Sequence, residues 1–247
     1  MQVALISPIP LLSEVPMTGC HLILAHLLGD RTYRDFYRQA TGWKILDNGA
    51  AEGELVAPDE LIRLATDIRA NEIVVPDELG DSFVTIMRAR QFKEIADLHP
   101  EFRYMGVVQG RNDKERRGCL TIMQHLGYMN VYALPRVMTL HDTHARIAFA
   151  ASCYADNVRP SFHCLGSGHW CEEIKALANL PMIRSADTAM PIKMGLRSQE
   201  LVHDAWYDAD AHTKDYFTRT PYTHERRIID SNIRTYLDWA SASLGGM

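Results

Sequence analysis

Short apolar runs alternate with segments of helical periodicity along most of the chain, and this alternation constrains the fold more than any other feature. The runs predict strands at residues 3–7, 21–25, 44–47, 72–77, 104–109, 131–134, 162–166 and 182–187. The second run leaves an alternative open, because Leu22 to Leu28 could equally begin a helix. The segments between the runs predict helices at residues 58–70, 81–98, 113–126, 141–154 and 170–178.

Strands that alternate with helices pair in parallel through right-handed crossovers, so a chain of 247 residues with this pattern fits a closed (β/α)8 barrel of the TIM type. An open doubly wound sheet is the competing architecture, although Gly166-Ser167-Gly168 gives only half of the dinucleotide-binding pattern G-x-G-x-x-G. Beyond about residue 198 the sequence predicts only helices, at 199–212 and 223–241. We therefore expect one α/β domain, residues 1–247, with extra C-terminal helices at about 198–247.

Composition narrows the functional classes. The formal net charge of −5 and the pI of about 6.1 argue against a protein that coats nucleic acid non-specifically, so any nucleic acid would bind at local patches. The longest apolar runs are far shorter than the ~20 residues of a membrane span, and no signal peptide is apparent. The five cysteines are irregularly spaced and do not suggest a disulfide framework. We expect a cytoplasmic protein without a membrane partner.

Polar side chains follow several of the predicted strands. Asp47, Asp77 and Asp187 each come at the end of an apolar run, and Gln109 ends another. In a parallel barrel these strand ends meet at one rim, where the chemistry of such barrels takes place. A bare buried charge is costly, so these carboxylates need partners or a function. The alternative for each aspartate is that it caps the following helix.

This set of groups suits glycosyl transfer. Two carboxylates on either side of a sugar can transfer it with retention, one attacking the anomeric carbon and the other moving protons. An ionised aspartate can also accept hydrogen bonds from N1–H and the exocyclic amine of a purine, and a glutamine amide can donate to O6. These residue types are therefore chemically suited to a sugar and to the amide edge of a purine.

Five segments carry a family resemblance when they are taken together and in order. They are residues 46–52 (LDNGAAE), 57–60 with 75–78 (APDE and VPDE), 108–110 (VQG), 165–168 (LGSG) and 187–193 (DTAMPIK). The segments resemble the patterns D-S-G-G-[FY]-Q, S-P-E with F-D-E, Q-G, M-G-V-G and D-x-x-L-P-T-R of the tRNA-guanine transglycosylases, also called queuine tRNA-ribosyltransferases. The resemblance extends from Ser7 to about Arg197.

The resemblance implies a role for each matching residue. Asp187 would attack C1′ of a nucleotide as guanine leaves, forming a covalent glycosyl-aspartate, and Asp47 would take a proton from the incoming base. Asp77 and Gln109, with Gly110 beside them, would hold the guanine-like edge. The nucleotide would be flipped out, because its anomeric carbon is inaccessible in a stacked duplex.

Further positions follow from the same resemblance. Leu165 would stack on the base beside Gly166, and Leu134 falls where the family uses backbone groups. Lys193 and Arg197 would contact the nucleic-acid backbone. His26 resembles part of the family's N-T-Y-H-L segment and would line the pocket and orient Asp47; the alternative is a histidine packed on an apolar stretch.

The chain departs from the family in ways that bear on its substrate. Ala51 replaces the aromatic platform under the base, and Ile23 replaces the asparagine of N-T-Y-H-L. The family's zinc subdomain is built on C-x-C-x-x-C and a histidine, and the cysteines at 20, 119, 153, 164 and 171 cannot supply that spacing. In this respect the chain is most like the zinc-free phage-type DNA 7-deazaguanine transglycosylases.

That likeness sets the expected partners. We expect DNA rather than tRNA and a free 7-deazaguanine base such as preQ0, and no cofactor or metal. The likeness allows a homodimer and, for a phage protein, places the chain in the host cytoplasm.

Other functions stay open at this stage. One is a tRNA-specific transglycosylase, and another is a barrel nucleosidase or glycoside hydrolase that uses the same carboxylates. A third is a non-catalytic partner subunit, against which the presence of Asp187 argues. A metal site at His163, Cys164, His169 and Cys171 has unsuitable spacing, and core cysteines with a pocket-wall histidine are the alternative. Aromatic residues 206, 207, 216 and 222 could stack on bases or pack in the core.

Overall fold

Eight parallel strands form a nearly closed barrel in the computed structural model, which describes residues 1–15, 18–140, 142–156, 158–167, 170–203 and 215–241. The strands are β1 Gln2–Leu5, β2 Cys20–Leu24, β3 Trp43–Asp47, β4 Glu72–Val74, β5 Arg103–Val107, β6 Val131–Leu134, β7 Phe162–Cys164 and β8 Ile183–Thr188. Their order is β1-β8-β7-β6-β5-β4-β3-β2. The predicted barrel is confirmed, and every predicted strand is present.

Helices follow most strands and cover the outside of the barrel. They are α1 Arg31–Gln39, α2 Pro58–Ile68, α3 Ser82–Leu98, α4 Asp113–Leu126, α5 Ala145–Ala155, α6 Cys171–Ala178, α7 Met190–Leu196 and α8 Thr223–Ser241. The sequence did not predict α1 or α7. The ambiguous second run is both a strand and a helix start, because β2 passes directly into a 3-10 helix at Ala25–Gly29.

The predicted helix at 199–212 is wrong for its first residues. Residues 199–203 have no helical structure, and the rest of that prediction, 204–212, lies outside the described residues. The second predicted C-terminal helix is confirmed as α8, which packs on α7, α6 and β1. No helix in the described part of the chain is long and apolar enough to cross a membrane.

The side chains of each strand alternate between the barrel interior and the layer beneath the helices. The interior holds mostly small and medium apolar side chains, among them Leu22, Val107 and Ala133, beneath the polar groups of the rim. The outer layer is a larger cluster that joins the strands to α1–α6. On β7 the alternation places Cys164 in the outer layer, whereas the buried His163 bonds to groups of the interior.

Candidate active site

A cavity of about 160 Å³ opens at the carboxyl ends of the strands. Seven of the predicted site residues line it with their side chains or backbone: Asp47, Asp77, Gln109, Leu165, Gly166, Asp187 and Lys193. They come from five strands and the loops after them, so the barrel brings together residues up to 140 positions apart in the sequence, such as Asp47 and Asp187.

Asp77 is held by two side-chain amides. Its Oδ1 accepts a hydrogen bond from Asn48 Nδ2 at 2.8 Å, and its Oδ2 accepts one from Gln109 Nε2 at 2.7 Å. Gln109 is itself fixed, because its Oε1 accepts from Gly80 N at 2.9 Å. Burial raises the pKa of Asp77, and the two amide hydrogen bonds oppose that rise. The carboxylate therefore has one orientation in the cavity, with lone pairs left for donors on a ligand.

Asp47 has a different environment. It ends β3, is only 7% exposed, and its Oδ2 accepts a hydrogen bond from Gly49 N at 2.8 Å. Burial raises its pKa well above the usual value, and the nearby carboxylates of Glu52, Asp77 and Asp187 add to the rise. Asp47 can therefore hold a proton at a pH where an exposed aspartate is ionised, which suits a group that exchanges protons with a substrate.

Asp187 is bound by backbone and imidazole donors. Gly166 N lies 3.1 Å from both carboxylate oxygens, and His163 Nε2 lies 3.0 Å from Oδ1. The backbone carbonyl of Asp187 accepts from Ser167 N at 2.8 Å, which ties the loop after β7 to the end of β8. Gly166 has a φ of 63°, and a side chain at that position would also lie within 3.3 Å of Arg136. The loop thus needs glycine there to bring its N–H onto the carboxylate.

Cationic side chains lie on one side of the cavity. Lys193, on α7, is 5% exposed and lines the cavity, as does Arg136 from the loop after β6. The pKa of Lys193 is lowered to about 8, chiefly by burial and also by the charges of Arg136 and Arg197, while Glu52 opposes them. Arg197 is exposed and lies outside the cavity lining. Of the two predicted backbone-binding residues, only Lys193 therefore faces the cavity.

Besides Arg197, three predicted site residues do not line the cavity: Leu134, Gly110 and His26. The side chain of Leu134 packs in the outer layer and its carbonyl accepts from Leu165 N at 3.0 Å, because alternation along β6 turns it away from the interior. Gly110 lies against the start of α4, where a side chain would come within 2.9 Å of Arg116 N. Leu134 thus packs beneath the helices, and Gly110 lets its loop lie close to the start of α4. Neither residue lines the cavity.

His26 also lies outside the cavity lining. Its ring makes an edge contact with Phe217, with the ring centroids 6.3 Å apart, and Phe217 does line the cavity. Burial lowers the pKa of His26, and the nearby Glu54 opposes this. The structure therefore shows a packed histidine behind the wall of the cavity.

Several residues at the site were not predicted as site residues. Asn48 follows Asp47 directly and fixes Asp77, and His163 contacts Asp187. Glu52 lines the cavity, and its buried Oε2 has no hydrogen-bond partner among the described residues. Burial raises the pKa of Glu52, as does the charge of Asp187. The sequence offered one usable signal, because Asn48 and Glu52 lie within the segment LDNGAAE.

The remaining candidate groups do not extend the site. The described residues, which leave out Gly168 and His169, contain no group of three or more His, Cys, Asp or Glu side chains that could hold a metal ion. Tyr216 is buried and donates to Ile6 O at 2.6 Å, and the exposed Tyr222 stacks on His224. Trp206 and Tyr207 lie outside the described residues.

A scan against protein-family models finds no match to the chain, and a search of curated proteins finds no similar sequence. The geometry of the cavity is therefore the basis for function. It combines a fixed carboxylate at 77, a carboxyl at 47 whose pKa is raised, and a carboxylate at 187 that, among the described residues, accepts hydrogen bonds from Gly166 N and His163 Nε2.

Proposed function

We propose that this chain is a base-exchange transglycosylase that replaces guanine in DNA with a 7-deazaguanine through a covalent glycosyl-aspartate intermediate. The observation that carries the proposal is the convergence of Asp47, Asp77, Gln109 and Asp187 on one cavity at the carboxyl ends of the barrel strands. The family resemblance supports the choice of guanine, because these four residues occupy the matching motif positions.

In the first half-reaction, a carboxylate oxygen of Asp187 attacks C1′ of the flipped-out nucleotide and the C1′–N9 bond breaks. The electron pair of that bond leaves with guanine, which takes a proton from Asp47 and departs as the neutral base. The raised pKa of Asp47 supports this step, because it lets the buried carboxyl hold the proton beforehand.

The second half-reaction reverses the first with a different base. Asp47 accepts the N9 proton of the incoming 7-deazaguanine, and N9 attacks C1′. The ester bond between C1′ and Asp187 breaks, and its electron pair returns to the carboxylate. Two inversions at C1′ give net retention, as expected for a covalent carboxylate mechanism.

Asp77 and Gln109 recognise the base. The fixed carboxylate of Asp77 accepts from N1–H and the exocyclic amine, and the second amide hydrogen of Gln109 donates to O6. Guanine and 7-deazaguanines share this edge, so one pocket accepts both the leaving and the incoming base. Exchange requires this property, because both bases must occupy the same place in turn.

DNA is the proposed polymer. No C-x-C-x-x-C segment follows Asp187 in this chain, so the zinc module with which the family handles tRNA has no counterpart in the sequence. Lys193 lines the same cavity as Asp187, which supports a contact between its ammonium group and the phosphate of the flipped nucleotide. In this proposal the target nucleotide leaves the stack and enters the cavity at the barrel mouth.

An exchange assay tests the proposal. DNA labelled in guanine is incubated with the protein and preQ0, with tRNA and free deoxyguanosine as parallel substrates and Asp187→Asn as the inactive control. We expect repeated release of labelled guanine from DNA only when the protein is intact and the acceptor base is present; without the acceptor, release should stop at one guanine per protein molecule. Release from tRNA alone makes the chain a tRNA enzyme, and release from free deoxyguanosine makes it a nucleosidase. No release from any substrate overturns the proposal.

A further inference from the structure

His163 lies between the cavity and a chain of polar groups that runs into the barrel. Its Nε2 is 3.0 Å from Asp187 Oδ1, and its Nδ1 is 2.8 Å from Ser185 Oγ. His163 and Ser185 are fully buried, and Asp187 is 2% exposed. Two buried polar side chains, on β7 and β8, thus lead from the carboxylate into the barrel.

This series of polar groups continues from Ser185 to the ion pair between Arg184 and the buried Glu72. Arg184 Nε lies 3.2 Å from Ser185 Oγ, and its two terminal nitrogens each lie 2.8 Å from an oxygen of Glu72. Glu72 belongs to β4 and Arg184 to β8, two strands that are not neighbours in the sheet. Glu72 is fully buried, and Arg103 Nε lies 3.8 Å from it. The ion pair thus fixes Arg184 from the opposite part of the barrel.

The direction of each hydrogen bond follows from the charged groups at the two ends of this series, Arg184 and Asp187. A guanidinium can only donate, so Ser185 Oγ accepts from Arg184; an ionised carboxylate can only accept, so Nε2 of a neutral His163 donates to Asp187, and Nδ1 accepts from the Ser185 hydroxyl. His163 then carries its ring proton on Nε2 and donates it to Asp187 Oδ1. Glu72, Arg184, Ser185 and His163 together determine which tautomer faces the carboxylate.

We propose that His163 is a positioning residue for the carboxylate of Asp187, with its tautomer set by Ser185 and the Glu72–Arg184 ion pair. The inference rests on the proposed function, in which Asp187 attacks the sugar. The Nε2–H of His163 holds Oδ1, and Gly166 N restrains the carboxylate from the loop side. Oδ2, which has no bond to the imidazole, is thereby directed to the cavity as the attacking oxygen.

A pair of substitutions separates this role from simple packing. In His163→Gln the side-chain amide lies near the former Nε2 and can still donate to Asp187, whereas in His163→Asn it lies near the former Nδ1 and cannot. We expect His163→Gln to keep kcat within a few-fold, and His163→Asn to lower kcat on the order of 10²-fold with little change in KM for the base. Cys164→Ala is the matched control, because Cys164 is equally buried on the same strand but faces the outer layer.

The measurements distinguish a failed role from a failed function. Thermal unfolding checks that each variant folds, and equal kcat values for folded Asn and Gln variants overturn the positioning role while leaving the exchange activity intact. Imidazole ¹⁵N shifts provide a readout that needs no turnover. We expect the Nε2–H tautomer of His163 in the wild type and its loss in Ser185→Ala; an Nδ1–H tautomer in the wild type overturns the assignment. A wild type that exchanges no base overturns the proposed function and this role together.

Discussion

The two sides of the barrel mouth hold their carboxylates by different means. On the side of β3 to β5, both oxygens of Asp77 accept from side-chain amides, those of Asn48 and Gln109. On the side of β7 and β8, Asp187 is held by a backbone N–H and one imidazole. The first arrangement fixes a planar edge, which suits recognition of another planar edge. The second restrains one oxygen more than the other, which suits attack by a single atom.

Asp47 and Asp77, both on the β3 to β5 side, differ in what sets their pKa values. Asp47 has a carboxylate neighbour in Glu52 and, among the described residues, a single hydrogen bond, from Gly49 N, so burial dominates its pKa. Asp77 has two amide donors that favour its ionised form. Neighbouring aspartates in one cavity can thus serve as proton carrier and as hydrogen-bond acceptor.

The largest effect is expected on the β7–β8 side. Asp187→Asn keeps the size of the side chain but removes the nucleophile, so base exchange should fall by about 10⁴-fold or more. Single-turnover release of labelled guanine measures this, with binding of DNA as the control for folding. Exchange that survives in Asp187→Asn would assign the attack to another group and remove the contrast between the two sides.

A smaller effect is expected on the recognition side. In Asp77→Asn an NH2 group replaces one carboxylate oxygen and faces an amide donor of Asn48 or Gln109. The base also loses its hydrogen bonds to a charged group. Such bonds contribute about 1.5–3 kcal/mol each, so KM for the free base should rise roughly 10- to 100-fold while DNA affinity changes little. The exposed Asp59→Asn, at the start of α2, is the matched control. An unchanged KM would show that Asp77 does not read the base.

The affinity for DNA should depend on pH through Lys193, on the cationic side of the cavity. Lys193 loses its charge as the pH rises through about 8, so DNA affinity should fall above that pH by at most about tenfold per unit. Lys193→Arg retains the charge and should move this decline to higher pH. Binding titrations across pH 6.5–9.5 measure the effect, and identical profiles for the two proteins contradict a role for Lys193 in binding.

The smallest effect concerns stability. The folded-state pKa of Asp47 lies above its unfolded value, so the native state holds an extra proton between the two values, and the free energy of unfolding falls as the pH rises through that window. Asp47→Asn does not ionise and so avoids this loss of stability. In the wild type the loss is about 1.4 kcal/mol for each pH unit between the unfolded-state and folded-state pKa values of Asp47. Denaturant unfolding of both proteins at pH 4 and pH 7 measures it. A variant less stable than the wild type at pH 7 would show that burial of the ionised Asp47 does not destabilise the fold.

The sequence predicted the barrel because its strands are short, apolar and regularly spaced; the bounds of β6 and α4 agree to the residue. It missed α1, where Tyr33, Phe36 and Tyr37 lie among charged residues and weaken the apolar pattern. It also missed α7, which has only seven residues and contains Pro191. Both helices are set by the barrel packing around them more than by their own periodicity.

At the site, the sequence predicted groups at strand ends, since their position follows from strand order alone. Contacts that depend on register could not be predicted. The pairing of His163 with Ser185 involves an irregularity between Phe162 and His163, and this brings the imidazole to Asp187. Loop residues such as Arg136 and Phe217 reach the cavity through tertiary packing, for which the sequence pattern gives no signal.

Trapping the covalent intermediate tests the central claim most directly. The protein is incubated with guanine-containing DNA in the absence of an acceptor base, denatured and digested, and the peptides are examined by mass spectrometry. The account predicts a nucleotide bound through C1′ to the peptide that contains Asp187, accompanied by an equal amount of free guanine. An adduct at another residue, or guanine release without any adduct, would contradict it.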